Sequence, residues 1–135
     1  MNRRIRVRAA VLDGMLEQAR AELPYECCGL LGGTPDEITD VFPTANALVS
    51  PSEYFIAPGE LIATLRLIRE RGLRHRGIYH SHPRGQNFPS RRDIETAYYP
   101  ACAYFIISPE APMARAVRVF EIRNGSAAEL KIEPV

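Results

Sequence analysis

"GIYHSHPRGQNFPSRRD", residues 77–93, decides the fold because three kinds of backbone meet in it. Its first residues, with Arg76 ahead of them, read as a strand that carries two histidines one residue apart, His80 and His82. The next seven residues hold Gly85 between Pro83 and Pro89, a composition that turns and stiffens a loop. Ser90-Arg-Arg-Asp93 then has the spacing that opens a helix, so the stretch predicts strand, tight loop and a helix over 90–100.

Working outward, the same alternation of elements recurs. "IRV" at 5–7 is a short strand, and Val11, Leu12, Met15, Leu16, Ala19 and Leu23 repeat at helical spacing, which predicts a helix over about 10–23. "CCGLLGG" (27–33) is a compact apolar run and reads as a buried strand, followed by weaker strands at 37–42 and 53–57. Pro58 opens a second helix whose stripe is Leu61, Ile62, Leu65 and Ile68, with Gly72 placed to end it. "AYFIIS" (103–108) is apolar without alternation, as expected of a strand covered on both faces. "VRVFEI" and "ELKIE" flank Asn124-Gly125 as a terminal hairpin. The expected class is α+β: a mixed, curved β-sheet with helices packed on both sides, over a single domain spanning 1–135.

Composition narrows the function. A chain of 135 residues can bury a core without metal or disulfide support. Seventeen basic residues, all arginine except Lys131, are scattered among sixteen acids and leave a net charge of +1, which offers no field to recruit nucleic acid or an anionic membrane. No long apolar run marks a signal segment or bilayer span, and three cysteines, two of them adjacent, suit a reducing compartment, so a cytoplasmic protein is expected. Cys27 and Cys28 would point to opposite faces of a strand, which opposes their chelating one ion. Cys28 shares a face with Glu26 and could approach a site, though a buried structural thiol is the simpler reading, and Cys102 reads as core.

Side chains alternate along a strand, so His80 and His82 project the same way and their imidazoles can converge on one ion. A catalytic zinc takes three protein ligands and keeps its fourth position open, and Asp93 is the candidate third donor. The alternative is a half-exposed strand followed by an ordinary capped helix, in which Asp93 reaches back to the amide of Ser90. The two readings compete for one carboxylate. His75 is an odd number of residues from His80 and is expected to face away from the pair, at the surface.

His80, His82, Pro83, Ser90 and Asp93 form H-x-H-P, six residues, then S-x-x-D, and this resembles the signature of the JAMM (MPN-plus) zinc metalloproteases. Upstream, "PYECCGLLGG" (24–33) is similar to that family's early strand, where a glutamate lies two residues ahead of a Cys-Gly pair; here these are Glu26, Cys28 and Gly29. The order of elements is also similar over nearly the whole chain, residues 34–57 being undistinctive. The resemblance implies a JAMM/MPN-like fold with a cytidine-deaminase-like core. It implies zinc held by His80, His82 and Asp93 with water as fourth ligand, Glu26 as the base for that water, and Ser90 as a donor to the oxyanion of the tetrahedral intermediate.

It further implies hydrolysis of a peptide or isopeptide bond, often beside the C-terminal Gly-Gly of a ubiquitin-like protein. The short chain is closer to compact prokaryotic members, some of which process ubiquitin-like sulfur-carrier proteins. Arg84, Arg91 and Arg92 could attract an acidic partner. A non-catalytic scaffold of the same fold is the first alternative, disfavoured by the complete ligand set. A DNA-repair-associated relative shares the motif but would leave Glu26 without a role, and a small-molecule zinc deaminase would need H-x-E with P-C-x-x-C, which is absent.

Overall fold

In the computed structural model, which describes residues 3–135, seven strands and three helices follow in the order β1 (Arg4–Val7), α1 (Ala9–Ala21), β2 (Cys28–Gly33), β3 (Ile38–Thr44), α2 (Pro58–Glu70), β4 (Arg74–Ser81), α3 (Arg91–Glu95), β5 (Ala103–Ile107), β6 (Val117–Arg123) and β7 (Ser126–Pro134). The strands lie in the spatial order β1-β3-β2-β4-β5-β6-β7, and the sheet curls until β7 pairs with β1 and closes a barrel. Pairing is parallel between β1 and β3, β1 and β7, and β4 and β5, and antiparallel elsewhere, which is the mixed sheet expected from the sequence.

The two long helices cover opposite faces of this sheet. Val11, Met15, Leu16 and Ala19 of α1 pack with Leu31, Tyr79, Phe105 and Ile107. On the other face Leu61, Leu65 and Ile68 of α2 pack with Leu30, Ile78, Tyr104 and Ile106. Successive residues of β2, β4 and β5 therefore feed different cores, which is why these strands are apolar without alternation. Each large side chain fully buried here, such as Phe105 or Phe120, contributes on the order of 2 kcal/mol from apolar area alone. The terminal hairpin turns where it was expected, with Asn124 at φ 52 and Gly125 at φ 75, the pair of left-handed residues that a tight two-residue turn requires.

Three local expectations need correction. The helix after the histidines runs only from Arg91 to Glu95 instead of to Pro100. Beyond it Tyr99 packs into the α2-side core and its amide donates to Tyr104 Oη at 2.9 Å, so tertiary contacts win over local propensity. Residues 53–57 are not a strand; they form the return arm of a loop tied internally by side-chain bonds. His75 is not a surface residue. The β2–β4 register shifts so that Leu31 faces Gly77 while Gly32 faces His75, and this bulge resets the alternation on which the parity argument relied. His75 is half-buried, its Nε2 3.1 Å from the Gly77 carbonyl and its ring edge-on to Tyr99.

Candidate metal centre

The last turn of pleat in β4 sorts its polar residues. Ser81 points to the α1 side, where its buried Oγ accepts from the amide of Cys27 at 2.8 Å, and this bond ties β4 to the chain entering β2. His80 and His82 point the other way. The loop that follows is pinned at three places: Ser108 Oγ donates to the Gly85 carbonyl (3.2 Å), Asn87 Nδ2 donates to the Arg115 carbonyl (2.6 Å), and the Gln86 carbonyl receives His82 Nδ1 (2.8 Å). Gly85, at φ +92, is the residue that lets this path turn without a Cβ clash. The loop thus returns the first turn of α3 over the end of β4.

His80 Nε2, His82 Nε2 and the two oxygens of Asp93 meet there. The nitrogens are 3.2 Å apart, Asp93 Oδ1 is 3.2 Å from His80 Nε2, and Asp93 Oδ2 is 3.1 Å from His82 Nε2. A tetrahedral zinc with bonds of about 2.05 Å has ligand-to-ligand edges of about 3.3 Å, and each of these three distances is close to such an edge, the aspartate offering a different oxygen to each histidine. Among the described residues, these three form the group of His, Cys and acidic side chains able to hold a metal ion. Two imidazole nitrogens facing each other across one carboxylate fit a cation at their common focus.

Asp93 and His80 are held in metal-binding forms, whereas for His82 burial lowers the pKa but hydrogen bonds to Asp93 and Gln86 outweigh it and raise it. Burial opposes charge on Asp93, but hydrogen bonds from His80, His82 and the Ser90 amide outweigh it and hold the carboxyl well below the usual carboxylate range. Burial lowers the pKa of His80 and favours its neutral ring, against the pull of Asp93. An ionised carboxylate and a neutral imidazole are the forms that ligate a metal. The His82 bond to Gln86 O places a proton on Nδ1 and turns Nε2 toward the Asp93 carboxylate.

The competition expected for Asp93 does not occur. Its Oδ2 accepts from the Ser90 amide at 2.9 Å while Ser90 Oγ accepts from the Asp93 amide at 3.1 Å, so the capping box is complete. A carboxylate has about four lone-pair sites, and the box uses one of them. The cap orients the carboxylate and leaves it capacity to spare.

Glu26, only 4% exposed, stands two residues ahead of β2 and shares with His82 and Ser90 the lining of a cleft of about 540 Å³, walled also by Pro24, Pro51 and Arg84. Its pKa is pushed up to about 8, first by burial and then by the charges of Asp93 and Glu53, with His82 and Arg92 opposing. Cys28 does not join the centre. It is the cross-strand partner of His80, but its Sγ lies 3.4 Å from Thr44 Oγ1, and burial lifts the thiol to about 11. Cys27 and Cys102 are likewise buried free thiols.

The sequence reading missed two contributors, Tyr54 and Asn46. Tyr54 stacks on the His80 ring with centroids 4.5 Å apart and planes 17° from parallel. Asn46, buried in the loop that carries Tyr54, bonds the Glu26 carbonyl at 3.2 Å. Neither lies near a motif, and only the tertiary path of residues 45–56 brings them in.

A closed mixed sheet with a His-x-His strand end, an aspartate on a capped first turn and a buried glutamate across the cleft defines a hydrolase of the JAMM type. A family model described as prokaryotic homologs of the JAB domain matches residues 8–121, and the chain belongs to that family. Similar curated proteins include the CysO-cysteine peptidase of Mycobacterium tuberculosis, 32% identical over 131 residues that cover 96% of this chain and 88% of that one. The desampylase of Haloferax volcanii is 35% identical over 109 residues, 78% of each chain. Among solved structures, a protein from Desulfitobacterium hafniense superimposes with a TM-score of 0.86 at 32% identity, covering 97% of this chain and 92% of the other. A JAB1/MPN domain protein from Archaeoglobus fulgidus shares the fold at a TM-score of 0.65 and 20% identity, covering 95% and 98%. Among the described residues no helix is long and apolar enough to cross a membrane.

Proposed function

We propose that the protein is a single-domain zinc metallopeptidase that cleaves the peptide or isopeptide bond following the C-terminal Gly-Gly of a small ubiquitin-like or sulfur-carrier protein. The observation that carries this reading is the convergence of His80, His82 and Asp93 at one end of a cleft that Glu26 and Ser90 also line. The names of the two curated relatives, one a peptidase for a CysO-cysteine linkage and one a desampylase, support the substrate class. The free state of Cys27, Cys28 and Cys102 supports a reducing compartment, the cytoplasm.

In this reading His80, His82 and Asp93 hold the ion. Bound zinc supplies Lewis acidity, lowering the pKa of water and polarising a carbonyl. Beside a cation held by these three residues the Glu26 carboxyl would return toward its ionised form, and in that form Glu26, which lines the cleft with His82, takes a proton from the attacking water and hands it to the leaving amine. Ser90 Oγ accepts from the Asp93 amide with one lone pair, which fixes the oxygen in place, and its hydroxyl proton can donate to the carbonyl oxygen as charge builds there. Pro24 and Pro51 give the cleft two ring-stiffened walls without side-chain donors, and a Gly-Gly tail brings no side chain that would have to fit beside them. Arg91 is 3.5 Å from Glu95 and Arg92 is 3.7 Å from Glu53, which leaves Arg84, on the cleft wall, as the arginine of the three best placed to meet an acidic partner.

The test combines elemental mass spectrometry of the purified protein with cleavage of a ubiquitin-like protein extended beyond Gly-Gly. One zinc per chain and scission after the second glycine are expected. A chain that stays metal-free after incubation with zinc, and cuts no fusion, would return the fold to a binding or scaffold role.

A further inference from the structure

The two histidines of the centre are oriented by different means. His82 has the hydrogen bond that metal-ligating histidines usually have, from the ring nitrogen remote from the ion to a carbonyl. His80 has no such partner. It is 2% exposed, and its Nδ1 is a buried polar atom without a hydrogen bond. Such orphaned atoms are rare in folded proteins and call for a compensating contact.

What holds this ring instead is a neighbour on its face, Tyr54, stacked with centroids 4.5 Å apart. Tyr54 belongs to a loop whose organiser is Asn46: its Oδ1 accepts from the amides of Leu48 (3.0 Å) and Phe55 (3.1 Å), and its Nδ2 donates to the carbonyls of Glu26 (3.2 Å) and Glu53 (2.9 Å). These four bonds use the whole capacity of an amide side chain, and they clamp the residues on both sides of Tyr54. The Glu26 amide adds a bond to the Ser50 carbonyl at 2.9 Å, so the loop is sewn to the residue across the cleft from the histidines.

We propose that Tyr54, held by Asn46, is the positioning residue of His80, its stacked ring orienting the imidazole where no hydrogen bond at Nδ1 does so. One loop then fixes both the buried ligand and the backbone of Glu26. The stack also favours metal binding itself. When Nε2 gives its lone pair to a cation the imidazole becomes electron-poor, and an electron-rich phenol face is a better neighbour to that ring than to the free one. This inference rests on the metal-centre reading and concerns residues outside the ligand set.

The experiment measures zinc affinity by competition with a chromophoric chelator, the visible spectrum of the cobalt-substituted protein, and the thermal midpoint of each zinc-free variant. Tyr54→Phe keeps the ring and is expected to bind zinc within about twofold of wild type. Tyr54→Leu is expected to weaken zinc binding roughly tenfold or more, as loss of an outer-shell partner does, and to shift the cobalt absorption. Asn46→Ser, which loosens the loop and leaves Tyr54 in place, is expected to weaken zinc binding as well, and it decides the matter if Tyr54→Leu does not fold. A folded Tyr54→Leu or Asn46→Ser that binds zinc as tightly as wild type overturns the proposal, and so does a Tyr54→Phe as weak as Tyr54→Leu, since the hydroxyl would then be the active part. Zinc binding that is absent in wild type, or indifferent to His80→Ala, would instead overturn the metal-centre reading.

Discussion

Ser90 offers a clean separation of structure from chemistry, because Ser90→Gly removes its hydroxyl while changing little else. In the fold the hydroxyl caps a one-turn helix through the Asp93 amide at 3.1 Å, and the reciprocal bond from the Ser90 amide to Asp93 Oδ2 is backbone-borne and survives substitution. Replacing a serine cap by alanine costs about 1 kcal/mol, and by glycine only a few tenths. On a domain of about 5 kcal/mol stability even the larger cost leaves only ~0.1% of chains unfolded, which no activity assay would register. Loss of an oxyanion donor costs roughly a hundredfold in kcat, near 2.7 kcal/mol, so the catalytic effect exceeds the structural one severalfold. The assay is kcat on a Gly-Gly fusion, with urea midpoints and zinc content measured on the same preparations. Ser90→Gly is expected to hold zinc and melt near wild type while losing about two orders of magnitude in kcat. Ser90→Thr, which keeps acceptor and donor, is expected to recover most of it. A glycine variant within threefold of wild type would refute the donor role, and one that loses zinc together with activity would show that the cap alone matters.

Other perturbations separate the remaining roles. Glu26→Gln is expected to retain zinc and lose on the order of 10²–10⁴ in kcat, and zinc loss in this variant would argue that Glu26 is a ligand. Asp93→Ala should weaken zinc by more than the 10–100-fold typical of an outer-shell change, measured by chelator competition. Arg84→Glu should raise KM severalfold toward an acidic partner with kcat little altered, and an unchanged KM at low salt would remove Arg84 from recognition. Burial lowers the pKa of His75 below its ordinary 6.5, partly offset by the Gly77 carbonyl, so the unfolded chain binds this proton first as pH falls. The stability contributed by burying the neutral ring against Cys102 and Tyr99 is therefore complete above about pH 6.5 and lost as pH falls toward the lowered value. Urea midpoints at pH 7 and pH 5 should converge more for His75→Gln than for wild type, and an equal drop in both would rule His75 out as the source.

The parts legible in the sequence are those governed by short-range rules. Residue alternation places His80 and His82 on one face, the Ser90 to Asp93 interval reads as a cap, and Asn124-Gly125 makes the turn that its left-handed residues demand. Where a reading failed, a distant partner had intervened. The bulge opposite Gly32 turns His75 inward, and Tyr104, five residues on, captures the Tyr99 amide and cuts short the expected helix. Residues 45–56 were opaque for the same reason: Asn46 reaches nine residues ahead and twenty residues back, a pattern with no period to detect.

Asp93 shows why motif spacing and local structure agree so closely at this centre. A ligand on a flexible loop would lose side-chain entropy each time it closed on the ion, on the order of 1 kcal/mol or more. Here the capping box fixes that carboxylate beforehand through the Ser90 amide, and the same box turns the Ser90 hydroxyl so that one lone pair is occupied and its proton is available. If the proposed roles hold, the interval of three between serine and aspartate is required twice over, once by the helical turn and once by the chemistry. A change that preserved a helix start but moved either residue by one position would then keep the fold and separate the proposed ligand from the proposed donor. Local helix geometry and the metal site are, at these four residues, one constraint.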